Sequence, residues 1–195
     1  MKSTSFSLLV FLTSLALTTI ASAANPDNVK QLINDRACAG CDLSGANLYS
    51  YDLDGANLSG ANLTEAALQG SDLEYAVLTN ARLERSNLAL VKFGGADLKG
   101  AKLGKANLYG ADLSGADLSG ADLSNANLEG ANLQQAILKG ANLQKANLFR
   151  AKLTGAIITD VQFDGARMPD GSEYRIGGRR GIPPEQNSSP PLPMR

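Results

Sequence analysis

The sequence predicts an all-β solenoid with a short helix at its start, and three regularities of residues 41–170 carry that expectation. A step of five runs without insertion from Leu43 to Met168, giving 26 sites of which Leu fills 22, with Phe93, Ile158, Phe163 and Met168 in the others. Two residues before each site the residue is usually small, Ala in 20 of 26 cases, and the residue between is Asp or Asn in 16 of 26. Gly is favoured two places after, as in Ala116-Asp117-Leu118-Ser119-Gly120. Internal self-similarity of this kind outranks any local propensity.

Geometry explains why five leads to a solenoid. On an α-helix a step of five turns about 140° net, so the leucines would smear over every face. In one flat strand an odd spacing would send alternate leucines to opposite sides. A chain that bends after each pentapeptide puts Ala and Leu inward together and the other three positions outward. Gly and Asx suit such bends, because they tolerate φ > 0 or bond their own backbone. Repeated bending winds a coil, and coils stack at about 4.8 Å through inter-strand hydrogen bonds.

The remaining elements follow in chain order. Residues 1–23 have the three parts of a signal peptide: Lys2, an apolar run from Leu8 to Ile20, and Ala21-Ser22-Ala23 before a cleavage site at Ala24. The run is shorter than the ~20 apolar residues that span a bilayer, so no stable membrane span is expected after cleavage. Residues 24–40 hold a cap and a CxxC pair. Asn25 is an N-cap, Pro26 suits the first helical position, and Val29, Leu32 and Ile33 share one face, which predicts a helix over about 26–37 covering the first coil. Open solenoid ends need such covers. The repeat fades after Met168-Pro169-Asp170-Gly171, and residues 171–195, with five of the seven prolines, read as a flexible, mildly basic tail. Within the repeat, Val91 beside Phe93 is bulkier than the usual Ala, so that coil is expected to bulge or to borrow space from Ser71 one coil below.

The A-(D/N)-L-x-x unit from Cys41 to about Met168 resembles the pentapeptide-repeat family. The resemblance implies a right-handed quadrilateral β-helix with four pentapeptides per coil, so that 26 repeats make about 6.5 coils and a rod on the order of 31 Å long. A leader followed by Cys-Ala-Gly-Cys-Asp-Leu-Ser-Gly-Ala-Asn-Leu also looks like the secreted members common in oxygenic photosynthetic bacteria, which implies the periplasm or thylakoid lumen. A fold of this kind hosts functions without implying them.

Composition narrows those functions. With no His, the chain lacks imidazole for Ser-His-Asp or Cys-His catalysis and for His-ligated metal sites. Cys38-Ala39-Gly40-Cys41 is the only CxxC, and without a βαβ context a structural disulfide is the expected role in an exported protein. Free thiols, or a redox-linked envelope protein cycling Cys38 and Cys41, stay open as alternatives. Asp42, Asp52, Asp72, Asp112, Asp117 and Asp122 stand at the outward position where Asp and Asn interchange, so bend formation explains them without catalysis. No enzyme activity, cofactor or metal is therefore expected.

Mimicry of DNA to bind topoisomerases, known in the family, needs a sustained negative surface. Here charge is banded: residues 42–75 carry six acids and no bases, 82–105 six bases and two acids, and the repeats net only −4. Bands of alternating sign cancel beyond a Debye length, and no nucleic-acid partner is expected. The reading that remains is an exported, non-catalytic scaffold that binds protein partners, with a homodimer left open. With twenty residues per coil, Tyr49, Tyr109 and Phe149 fall in one outward column, beside Asn47, Asn107 and Asn147 in the next. That face carries four charges, Glu129, Arg150, Arg167 and Asp170, against ten on the face beginning at Cys41. Low charge with aromatic anchors suits a partner face.

Overall fold

A computed structural model describes residues 24–175. The expected leader, and the part of the expected tail beyond Arg175, lie outside the described residues. Helix α1 spans Pro26–Asp35; the Asn25 side chain accepts from the Asp27 amide, and Arg36 closes the helix in the left-handed conformation with its N–H on the Leu32 carbonyl. The helix is two residues shorter than the expected 26–37. Arg36 and Ala37 already belong to the first coil, where the Arg36 carbonyl accepts from Asn57 at 2.8 Å and Ala37 is bridged to Asn57. Leu32 is fully buried and Val29 packs against the same core, so α1 lies over the opening of the coil.

From there the chain winds into a β-helix. Parallel bridges join each second-position residue to the one twenty later, from Ala37 with Asn57 to Asn147 with Arg167. Each side is one pentapeptide with a single bridged residue and a turn, giving four sides per coil. The faces are named here by their first pentapeptide with full repeat character: Cys41 (41–45), Ala46 (46–50), Tyr51 (51–55) and Ala56 (56–60), each recurring at twenties. Pairing starts one pentapeptide before the boundary expected at 41. Cys38 takes the third position and is buried like the leucines after it; it lies five residues before Leu43, but a Cys in the leucine column disguises the register.

Backbone accounting shows why each position prefers its residue. The second- and third-position N–H groups bond to the coils on either side, as in Asn62 to Cys41 O at 2.8 Å and Leu43 to Asn62 O at 2.7 Å. The fifth bonds to the next coil, Gly45 to Thr64 O at 2.9 Å, and the first closes the turn, Ala46 to Leu43 O at 3.0 Å. Only the fourth N–H has no backbone acceptor, and Asx at the second position supplies one, as Asp42 Oδ1 does for Ser44 at 3.1 Å. Every fifth position from Gly40 to Gly165 has φ between 56° and 74°, the second central residue of a type II turn. That demand, together with the inward crowding at the first and third positions, writes the repeat.

The third-position leucines from Leu43 to Leu148 are completely buried. Around Phe93 the coil does not bulge: Phe93 N–H reaches Asp112 O at 2.6 Å, Asp112 N–H reaches Val91 O at 2.9 Å, and Lys92 N–H reaches Ser71 O at 3.0 Å. Val91 and Phe93 are fully buried with the small Ser71 one coil below, its Oγ within reach of the Leu48 and Leu68 carbonyls.

At the far end, residues 171–175 depart from the expected flexible tail. Asp170 Oδ1 accepts from the Ser172 amide at 2.9 Å and Gly171 takes φ 86°, which turns the chain back on itself. Residues 172–174 then run antiparallel to 165–168, with Arg167 bridged to Glu173 and Tyr174 N–H on Ala166 O at 2.8 Å. The Tyr174 ring tilts against Phe163, centroids 5.5 Å apart. Among the described residues no helix is long and apolar enough to cross a membrane.

Candidate partner-binding face

The Ala46 face is built from the same bends as the others but presents different side chains. Its second-position column forms an amide ladder: Asn107 donates to Asn87 at 3.1 Å, Asn127 to Asn107 at 3.2 Å, and Asn147 to Asn127 at 3.2 Å. Each of these oxygens also accepts a fourth-position amide of its own turn, as Asn107 does from Tyr109 and Asn147 from Phe149. Asn47 accepts from Tyr49 at 3.3 Å but is cut off from the ladder by Ala67. The asparagines therefore brace the face, and their amides are largely spent within the chain.

The aromatics differ from one another. Tyr49 and Tyr109 stand 63% and 50% exposed, three coils apart, which is about 14 Å at the ordinary strand spacing. Phe149 is half-buried, with the Arg167 guanidinium 4.1 Å above its ring and that of Arg150 at 4.9 Å. These cation–π contacts make it part of the cover over the last coil. Sequence columns alone could not show this, because Arg167 belongs to the next coil.

Leu90 is the residue of this face that column reasoning missed. It occupies a corner beside Tyr109, with φ 59° and 62% exposure. Its N–H bonds to the Tyr109 carbonyl at 2.9 Å, and its side chain lies over Gly110. A leucine in the left-handed region costs roughly 1–2 kcal/mol, and here its side chain is left in water. The signal was in the sequence: an apolar residue at a fifth position.

Cys38 and Cys41 are disulfide-bonded, Cα atoms 5.3 Å apart, where the end of α1 meets the first coil. Cys38 is fully buried and Cys41 partly so. Among the described residues no group of three or more His, Cys, Asp or Glu side chains gathers into a metal-binding cluster.

The six aspartates act as turn and ladder acceptors. The charge bands meet as ion pairs between coils, Lys92 with Asp72 at 2.9 Å and Lys99 with Asp117 at 3.0 Å. The hydrogen bond from Lys92 holds the Asp72 carboxyl below the ordinary aspartate value of 3.8. The hydroxyl and amide of Ser44 do the same for Asp42. For Asp117 burial pushes upward, but the Ser119 hydroxyl and Lys99 outweigh it and the net shift is down. A depressed aspartate stabilises the fold above its unfolded value and loses that contribution as pH falls through the folded one. Thermal melts are thus expected to be flat above about pH 5 and to shift down steadily below 3.8. Lys92→Met should make that acid loss shallower. A midpoint that holds or rises on acidification would contradict this account.

The known proteins bear on this geometry as follows. A family model described as pentapeptide repeats matches in 8 copies, over residues 38–80, 68–104, 92–130, 116–155 and 131–168. No curated protein matches. Among solved structures, HetL, a pentapeptide repeat protein involved in heterocyst differentiation regulation in the cyanobacterium Nostoc sp. strain PCC 7120, is 30% identical, with 71% of this chain and 87% of that one covered and a TM-score of 0.37. Rfr23 from the cyanobacterium Cyanothece 51142 is 31% identical over 70% of this chain and 92% of its own, TM-score 0.42. A pentapeptide repeat protein of the Arabidopsis thaliana thylakoid lumen is 30% identical over 63% and 72%, TM-score 0.42.

Proposed function

This chain belongs to the pentapeptide-repeat family, and on that premise we propose that it is an exported, non-catalytic binding protein whose Ala46 face holds a protein partner. The observation that carries the proposal is Leu90. It stands at a left-handed corner, as every fifth position does, but is the one leucine there, and its side chain stays 62% exposed while resting over Gly110. Beside it stands Tyr109, with the ring and hydroxyl typical of interface anchors, on the face with few charges. Tyr49 extends the same surface toward the first coil, whereas Phe149 serves the end cover.

Export is supported by the leader and by the bonded Cys38–Cys41 pair, which suits an oxidising compartment such as the periplasm or thylakoid lumen. The pair then acts as a brace holding α1 to the first coil. Complete burial of Cys38 counts against the redox-cycling alternative, since thiol exchange needs access. Banded charge, paired between coils, counts against a DNA-like surface.

The test is capture of partners by the immobilised mature chain, Ala24 to Arg195, from extracts of the compartment where it is found. Leu90→Gly combined with Tyr109→Ser should lower capture by about tenfold or more. The thermal midpoint should stay level or rise, because Gly relieves the corner. Undiminished capture by a folded double variant would sink the proposed face.

A further inference from the structure

The Cys41 face carries an indentation that the repeat does not account for. Along its fourth-position column, from Ser44 to Asp164, only Gly104 lacks a side chain. Backbone geometry does not call for glycine there. Gly104 stands outside the positive-φ corner, and a Cβ on it would make ordinary contacts, 3.6 Å to Ser124 Oγ and 3.8 Å to Asp122 Oδ2. The missing side chain opens a cavity of about 290 Å³ lined by Glu84, Arg85, Gly104, Lys105 and Ser124. Gly94, the other fourth-position glycine of the repeat, shows the contrast. There the Glu74 side chain fills the space, 3.6 Å from where a Cβ would stand, and Lys92 beside it is bonded to Asp72 at 2.9 Å.

We propose that this cavity binds a phosphate-class oxyanion, either the free ion or the phosphate of a small ester. Three features make it a donor site. The first is the backbone. A fourth-position N–H points out of the face toward the second-position side chain, as that of Ser124 does to Asp122 Oδ1 at 3.0 Å. For Glu84 and Gly104 the second-position residues are Arg82 and Lys102, whose side chains hold donors only. Two outward amides one coil apart, about 4.8 Å, thus face the place where an Asx oxygen would stand, and an anion supplies that oxygen. The second feature is charge. Arg85 and Lys105 line the cavity from the corner, while Arg82 and Lys102 stand in the column beside it. The carboxylates nearby are already committed: Glu84 to Arg82 at 3.8 Å and to the Thr64 hydroxyl at 3.4 Å, and Glu65 to Arg85 at 3.4 Å. Asp122 Oδ1 takes the Ser124 amide and the Asn142 side chain. The third feature is the Ser124 hydroxyl, a further donor at the rim. Donors from a backbone edge, a corner and a hydroxyl are not coplanar, which suits a tetrahedral ion better than a flat carboxylate. The volume also leaves room for a small organic group on that ion. This site stands on the Cys41 face and does not depend on what the Ala46 face holds.

Amide chemical shifts of the mature chain, Ala24 to Arg195, titrated with sodium phosphate at constant ionic strength, test this. The signals of Glu84 and Gly104 are expected to move together and to saturate with a Kd of about 1 mM or below, while those of Gly94 and Ser119 stay still. Glycerol 3-phosphate as a second probe separates the sources. Tighter binding than inorganic phosphate assigns the site to an ester, and equal or weaker binding assigns it to the free ion. Lys102→Asn with Gly104→Ser restores the Ala-Asn-Leu-Ser pattern of the repeat. It should weaken binding of either probe by about tenfold or more and leave the thermal midpoint level or higher. Shifts that never saturate, shifts that sodium chloride reproduces, or binding undiminished in the folded double variant would each overturn the proposal.

Discussion

Replacing Leu118 by Asp is expected to unfold the protein. Leu118 is completely buried at a third position, in a column with Leu98 and Leu138 one coil away on either side. The backbone N–H groups around it are already committed, its own to Ile137 O at 2.7 Å and that of Ala121 to Leu118 O at 3.0 Å. A carboxylate there would find neither donor nor counter-charge, and burying an unpaired charge costs several kcal/mol even after relaxation. A whole domain is held by about 5–15 kcal/mol, so one such substitution in mid-rod consumes most of the margin. Leu118→Ala, which leaves only a cavity, should cost about 2–5 kcal/mol and keep the fold. Urea titrations followed by circular dichroism measure both. Wild-type stability for Leu118→Asp would mean that position 118 meets water.

Replacing Leu32 by Asp should have an effect as large but confined to one end. Leu32 is the fully buried residue by which α1 closes the first coil, so a charge there should free the helix. In a solenoid each coil contacts only its neighbours, and damage at a terminus frays inward without destroying the middle. The Cys38–Cys41 bond sets where fraying stops, because it still ties the chain at the junction of helix and coil. Loss of the small helical signal is expected, with faster exchange at Cys38, whose N–H bonds to Asn57 O at 2.8 Å, and unchanged protection at Leu118. Global unfolding in one transition with Leu118 would show the rod to be a single cooperative unit. An unchanged helical signal would show that α1 does not depend on Leu32.

The interior was legible because it is periodic and each of its causes is local. An amide at the fourth position needs an acceptor two residues back, a corner needs φ > 0, and the inward positions admit one small and one large apolar side chain. These constraints lie within five residues, so Ala116-Asp117-Leu118-Ser119-Gly120 displays them all. The ends were read less well. The Cys at position 38 hid the first inward residue, and the Pro-Asp-Gly bend after Met168 suggested a loose tail where the chain turns and pairs with 165–168.

For the candidate face the division is sharper. Repeats, core, bends and the low charge of the Ala46 face were determined by the sequence by itself, since the period assigns every residue to a column. Only the tertiary structure decided how the occupants of those columns stand. Phe149 is covered because Arg167, eighteen residues later, comes to rest 4.1 Å above its ring. Leu90 is bare because Gly110, one coil on, offers it nothing but backbone to lie across. Both outcomes depend on a neighbour in the adjacent coil, at a distance in the chain where no local preference acts.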